Sequence, residues 1–353
     1  MWRRIRVGLA LCLASAAVSA PAGTIDLGLQ EVLDFAAPQE VVSTIVHLSA
    51  QTNLQALEQT MRAASASPAL RHELVVRSLQ QTADGTQFRL FDHLEGLYQA
   101  GRITRYDAFW IVNAFRVDAT PAEIKELANH PDVGTIYYNY PIFSIAPIET
   151  PQTVPPKGDY TERRPGPETP EPGLVEINVP QVWAMGINGA GILVSTLDTG
   201  VAGNHPALAS RWRGLDPNYS GHPGWAFFDP VTNWQFPQDS GSHGTHTMGT
   251  VCGGAPGDEV GVAPGAQWIH AAVIDRVSLQ QTCTDSIIAF QWLIDPDGNP
   301  GTNHDVPHTN SNSWGIGTWH NVPPFNNPCD PSFWSYIDAC ETAGIAVFFS
   351  AGN

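Results

Sequence analysis

The spacing of apolar and polar residues changes character several times along the chain. Residues 41–49 (Val-Val-Ser-Thr-Ile-Val-His-Leu-Ser) alternate and are rich in β-branched types, which predicts a strand. A long helical stretch follows to about Ala100, interrupted near Ser65 to Pro68. Residues 108–117 are strand-like again, with aromatic and β-branched side chains. Thr120-Pro121-Ala122-Glu123 has the form of a capping box with proline at the first helical position, so a helix is expected to start there and to stop at His130-Pro131. Residues 133–140 complete the pattern as a further strand. Strand, helix, strand, helix, strand predicts a small ferredoxin-like α+β domain over residues 23–145, with helices on one face of a sheet.

From 146 to 173 no apolar period survives and prolines recur, which predicts an extended, accessible linker. Beyond it, over 174–353, short apolar runs alternate with helical ones. Residues 191–197, 268–274 and 345–349 read as buried strands; 180–186, 286–294 and 331–343 read as helices, the last capped by Asp330 and stopped by Gly344. This alternation predicts an α/β domain with a doubly wound, mainly parallel sheet. Residues 201–239 are full of Gly, Pro, Trp and Asn and are expected to form long surface loops. Residues 306–312 occupy a strand position but are polar and contain Pro307, which is unfavourable in a central strand.

The stretch Ser240-Gly241-Ser242-His243-Gly244-Thr245-His246-Thr247-Met248-Gly249-Thr250 predicts a helix capped by a serine hydroxyl. Gly244 and Gly249 each cost about 1 kcal/mol relative to alanine, so a helix that keeps them implies another backbone or a substrate close by. His243 falls in the first turn, where the positive end of the helix disfavours a charged imidazole and suits a general base. Asp198 ends the 191–197 strand, where open α/β sheets place their chemistry, and Asn353 ends the strand from 345.

Taken together, LDTGV at 197–201, SHGTHTMGT at 242–250, SNSWG at 311–315 and SAGN at 350–353 resemble the subtilisin-like serine proteases, the subtilases, over roughly residues 174–353. The resemblance implies an Asp-His-Ser triad in which Asp198 orients the imidazole, His243 is general base then acid, and Asn353 donates to the oxyanion. It further implies that Ser313, Trp314 and Gly315 pair with the substrate backbone and that His246 packs structurally. Residues 23–145 then look like the family's inhibitory propeptide, the chain's own intramolecular inhibitor. No GTSMA-type serine motif occurs, so the nucleophile is expected beyond the C-terminus and the 353-residue chain is expected to be inactive. A non-catalytic peptide-binding or protease-inhibiting protein is the alternative.

Competing readings of single motifs are weaker. Asp198-Thr199-Gly200 also marks pepsin-like aspartic proteases, which need a second such aspartate that is absent. Asp198 without chemistry would merely cap its strand. His243 and His246 could share a metal, yet no glutamate or third ligand accompanies them. Trp314 could be only a core aromatic, and His205, His304 and His308 read as ordinary loop residues.

Composition narrows the address. Arg3, Arg4 and Arg6 precede an apolar run at 7–18 and small residues, which predicts a signal peptide over 1–22 and a secreted product with no membrane span. A net charge of −17, with lysine only at 125 and 157, argues against a nucleic-acid partner; polypeptide substrates are expected instead. Removing Cys12 leaves Cys252, Cys283, Cys329 and Cys340, with 283–329 the expected pair and 329–340 too far apart along one helix to bond. No cofactor is required for the chemistry. Structural calcium is possible, with Asp258 and Glu259 in a suitable loop, and any metal ligands remain unknown.

Overall fold

The computed structural model describes residues 23–144, 170–255, 258–276, 281–316 and 334–351. The expected signal peptide, most of the linker, Cys329 and Asn353 lie outside these residues.

The leading region builds a five-stranded sheet in the order β1-β5-β2-β4-β3 from β1 (Thr24–Ile25), β2 (Val42–Leu48), β3 (Ile103–Phe109), β4 (Ala114–Ala119) and β5 (Val133–Tyr138). Strand β1 pairs parallel with β5 and the remaining pairs are antiparallel. Its helices are α1 (Leu27–Phe35), α2 (Leu54–Ala63), α3 (Pro68–Thr86), α4 (Phe88–Gln99) and α5 (Pro121–Leu127). Two-residue periodicity divides β2 between opposite faces. Val42, Val46 and Leu48 join Leu29, Leu90, Leu94 and Ile124 in one cluster under α1, α4 and α5. Ile45 joins Met61, Val75 and Leu79 of α2 and α3 in a second cluster that continues into the rest of the molecule. The helices therefore do not all lie on one face.

Three local expectations change. Residues 108–117 are not one strand but the end of β3, a turn and the start of β4. The turn escaped notice because it is apolar: Ile111 and Val112 are buried in the second cluster, and the backbone N–H groups of Trp110 and Ile111 both donate to Gln291 Oε1. Thr120 makes no side-chain cap bond, and Glu123 is drawn instead to Arg102. Residues 201–239 are loops punctuated by four short 3-10 turns, but Leu208, Trp212, Tyr219 and Phe227 are buried, so this stretch forms one wall of the core rather than a surface excursion.

After β6 (Ile142–Ser144), α6 (Pro172–Glu176) and α7 (Val179–Ala184), a second five-stranded sheet runs β14-β12-β7-β11-β8, with every pair parallel. Its strands are β7 (Leu193–Asp198), β8 (Phe227–Phe228), β11 (Gln267–Ala272), β12 (Thr309–Asn312) and β14 (Ala346–Phe349). The helices are α8 (His243–Cys252), α9 (Cys283–Ile294) and α10 (Trp334–Ala343), and a small antiparallel pair, β9 (Gly254–Ala255) and β10 (Asp258–Glu259), follows α8. Helix α9 starts in a capping box formed by Thr282 and Asp285. The polar strand is accommodated centrally: Pro307 stays outside it, and β12 lies between β7 and β14.

The two regions share a closed polar interface. Asn139 donates to Thr284 Oγ1 and accepts from the Thr284 N–H, at 3.0 Å each, with all partners buried. His72 Nε2 lies 2.7 Å from the Ile294 carbonyl, and Arg71 donates to the carbonyl of Thr342.

Burial pushes the His47 imidazole down to about 4. Above pH 6.5 this residue is neutral folded or unfolded. Below it, the unfolded chain takes up a proton that the folded chain refuses, so stability falls as pH drops towards 4. His47→Leu should therefore reduce the loss of unfolding free energy between pH 7 and pH 5 by about 2 kcal/mol, measurable from urea midpoints. An unchanged slope would show that His47 titrates normally in the fold.

Candidate active site

Asp198 is the last residue of β7 and is 1% exposed. Its carboxylate is held from three directions. Oδ1 accepts from the Thr199 N–H and lies 2.7 Å from His243 Nδ1, while Oδ2 accepts from the Thr247 hydroxyl at 3.0 Å. These hydrogen bonds fix its orientation. His243 opens α8, with 16% of its side chain exposed. One ring nitrogen thus faces a buried carboxylate while part of the ring reaches the surface.

A close approach of two backbones brings these residues together. A Cβ on Gly244 would sit 2.1 Å from the Gly200 carbonyl oxygen and 3.1 Å from Asp198 Cβ. Gly200 itself has φ +124°, and a Cβ there would meet the Gln238 carbonyl oxygen at 2.1 Å. Of the two glycines noted in the sequence, Gly244 has the neighbouring backbone; around Gly249 nothing lies within 4 Å of a built Cβ.

The cap of α8 differs from the sequence expectation. Ser242 is the N-cap residue but makes no side-chain cap bond. The orphan N–H groups are taken from outside the helix: Gly244 donates to Thr199 Oγ1, and Thr245 donates to Asp239 Oδ2, both at 2.9 Å. Asp239 also accepts from the hydroxyls of Thr199 and Thr245 and from the Gly241 N–H. A carboxylate at a helix N-terminus interacts favourably with its dipole. Behind this loop, Arg276 is wholly buried against Asp229 at 2.6 Å and donates to the Thr199 carbonyl at 2.7 Å and to the Ser240 hydroxyl. Its guanidinium lies 4.8 Å from the Trp234 ring centroid. Thr199, Asp239, Thr247 and Arg276 were all missed from sequence. Only Asp239, an acid just ahead of the helix, carried a local signal.

Trp314 is a core aromatic at its side chain and a strand residue at its backbone. Its indole is buried and donates to Asn312 Oδ1, while its backbone belongs to β13 (Trp314–Ile316). That strand pairs antiparallel with β6, with Trp314 opposite Ser144, Gly315 opposite Phe143 and Ile316 opposite Ile142. Ser313 links β12 to β13. The segment matching the substrate-pairing motif is thus occupied by the end of the leading region. Asn353 lies outside the described residues.

His246 does not pack as expected: it is exposed and lines a cleft of about 1360 Å³ together with Leu174, Phe236 and Gly249. Neither Asp198 nor His243 lines that cleft. His308 stands at the start of β12, where Nδ1 accepts from the Leu193 N–H. Cys252 and Cys340 are buried thiols, and burial pushes Cys252 up to about 12, which removes it as a nucleophile at neutral pH. Both expectations about Cys329 fall outside the described residues.

A family model described as "Subtilase family" matches residues 189–353. Bacillopeptidase F of Bacillus subtilis (strain 168) is 28% identical over 333 residues, covering 91% of this chain and 21% of that protein. Thermitase of Thermoactinomyces vulgaris is 32% identical over 120 residues, 33% of this chain and 38% of its own length. Among solved structures, fervidolysin from Fervidobacterium pennivorans, a keratinolytic enzyme related to subtilisin, superposes with a TM-score of 0.50 at 16% identity, over 95% of this chain and 42% of that one. The chain spans about a fifth of the length of Bacillopeptidase F.

The two glycines of α8 make a paired test. Gly244→Ala should destabilise the protein by about 1–3 kcal/mol, because its Cβ meets backbone that cannot rotate away. Gly249→Ala should be neutral or stabilise by up to about 1 kcal/mol through helix propensity. Guanidinium unfolding of both variants decides; equal effects would remove the Gly200 contact as the constraint.

Proposed function

Because residues 189–353 belong to the subtilase family of serine proteases, we propose that the chain acts as a secreted serine endopeptidase precursor, with its nucleophile a serine outside residues 1–353. The observation that carries this reading is the 2.7 Å contact between His243 Nδ1 and a buried, triply held Asp198 carboxylate. With Nδ1–H donated to Asp198, Nε2 would accept the serine Oγ proton as Oγ attacks the scissile carbonyl carbon. The carboxylate stabilises the resulting imidazolium, which then gives its proton to the leaving amine. Water repeats the cycle on the acyl-enzyme and restores the serine. Asn353 would donate its amide N–H to the oxygen that becomes negative in the tetrahedral intermediate.

Ser313, Trp314 and Gly315 would receive an extended polypeptide substrate as an added strand. The pairing of β6 with β13 supports an autoinhibitory role for the leading region. A substrate would need the edge that residues 142–144 occupy, and the adjacent linker of 146–173 is a natural place for cleavage. The reaction itself needs only side-chain and backbone groups.

The test is to extend the coding sequence until a serine motif is included and to compare the product with residues 1–353. The extended, processed enzyme should be labelled by a fluorophosphonate and hydrolyse peptides; residues 1–353 should do neither. In the extended enzyme, Asp198→Asn should lower kcat by about 10⁴-fold and Asn353→Ala by roughly 10²–10³-fold with little change in ground-state binding. Peptide hydrolysis by residues 1–353 that survives His243→Ala would overturn the mechanism. Separately, residues 23–144 should inhibit the processed enzyme. Removing 142–144 should weaken that inhibition about tenfold to a hundredfold, as expected for two or three lost strand bonds; unchanged inhibition would assign the role to another surface.

A further inference from the structure

The connection from α9 to β12 holds a cluster of ionisable side chains that the protease reading leaves unused. Asp295 follows directly after α9, and Asp297, His304 and Asp305 follow within the loop. One ligand atom from each of Asp297, His304 and Asp305 lies within 4.8 Å of the other two. We propose that Asp297, His304 and Asp305 bind a divalent cation of the Zn²⁺ or Mn²⁺ class.

The local hydrogen bonds leave a specific opening. Asp305 is 1% exposed. Its Oδ2 accepts from the Asp297 N–H at 2.9 Å, but its Oδ1 has no hydrogen-bond donor among the described residues. That oxygen stands 3.6 Å from His304 Nδ1, too far for a hydrogen bond and suited to a shared ion. Asp295, 8% exposed, likewise has an Oδ1 with no donor. An ionised carboxylate buried without a partner is costly, and coordination is one of the ways it is satisfied. Arg77 approaches the loop at Gly301, but its guanidinium is already paired with Glu73.

The donor set selects the ion. Two carboxylates alone would suit Ca²⁺ or Mg²⁺, whereas an added imidazole favours Zn²⁺ and, among oxygen-preferring ions, Mn²⁺. The surrounding structure holds the ligands ready. The Asn299 N–H and the Thr302 hydroxyl bind the two Asp297 oxygens, and Arg213 and the Tyr219 hydroxyl donate to the His304 carbonyl. Such bonds to ligand-bearing residues orient a first coordination shell. A cation here would tie the exit of α9 to the entry of the central strand, β12.

The full chain, stripped with a chelator and dialysed, should be titrated separately with Zn²⁺, Mn²⁺ and Ca²⁺ by calorimetry. A one-site isotherm with Zn²⁺ or Mn²⁺ is expected, together with a raised unfolding temperature. Asp305→Asn should abolish both. His304→Ala keeps the backbone carbonyl that Arg213 and Tyr219 hold, so the loop persists, and binding should weaken at least tenfold. No isotherm with Zn²⁺ or Mn²⁺ would overturn the proposal. Binding of Ca²⁺ alone, unchanged by His304→Ala, would overturn it equally, because the imidazole would not be a ligand.

Discussion

Everything at the candidate active site depends on how closely the backbone after β7 approaches the first turn of α8. With Gly244 against Gly200, there is room for neither a methyl group nor a water molecule between the two segments. That distance places the His243 ring on the Asp198 carboxylate, and it brings Thr199 Oγ1 within reach of the Gly244 N–H in the first turn of the helix. Asp239 then closes the corner by binding both Thr199 and Thr245. The His243–Asp198 contact and the capping of the helix are therefore one network. A loss of packing there would move His243 and Asp198 together.

The same corner is supported from behind by an ion pair with no exposure to solvent. Arg276 and Asp229 are each fully buried at the side chain. Removing one partner of such a pair leaves an uncompensated charge, at a cost of several kcal/mol. The pair's geometric contribution is clearer than its energetic one. Arg276 reaches the carbonyl of Thr199, one residue beyond the catalytic-type aspartate, and so carries the position of β11 into the site. On the opposite flank the leading region meets α9 and α10 through the Asn139–Thr284 pair, the His72 ring on the Ile294 carbonyl and the Arg71 guanidinium on the Thr342 carbonyl. The interface is specific because each of these groups would be expensive to leave unpaired.

Much of this could be read from the sequence, for identifiable reasons. Strands β7 and β11 are buried on both faces, so they appear as continuous apolar runs, and Asp198 and His243 sit beside them in motifs with a chemical logic. The alternation of β2 marks a strand between two packed faces. The β3–β4 turn is hidden in the sequence because Ile111 and Val112 are apolar and buried in the cluster that continues into the second region. The cap of α8 was misread because a serine in the right place is a good local cap, and nothing local reveals that Thr199, some forty residues earlier, reaches the same N–H first. Arg276 had no signal at all: a lone arginine after a strand gives no sign of burial. His304 lies in a loop, as the sequence suggests, but its approach to Asp297 and Asp305 depends on a bend that only the folded chain closes.

The polar character of β12 has a consequence for how the sheet assembles. Asn310 and Asn312 are fully buried, and their amides form a chain: Asn310 donates to Ser195 Oγ, Asn312 to Asn310 Oδ1 and to the Phe348 carbonyl, and Trp314 to Asn312 Oδ1. An aliphatic strand displaced along its neighbours loses shape complementarity but still meets apolar groups. Here a slip of one residue would turn both amides to the other face of the sheet, and a slip of two would separate them from Ser195 and Phe348. Each displaced amide would then sit in the interior without a partner. The strand therefore has one energetically acceptable alignment between β7 and β14, and that alignment fixes how far β13 projects towards β6.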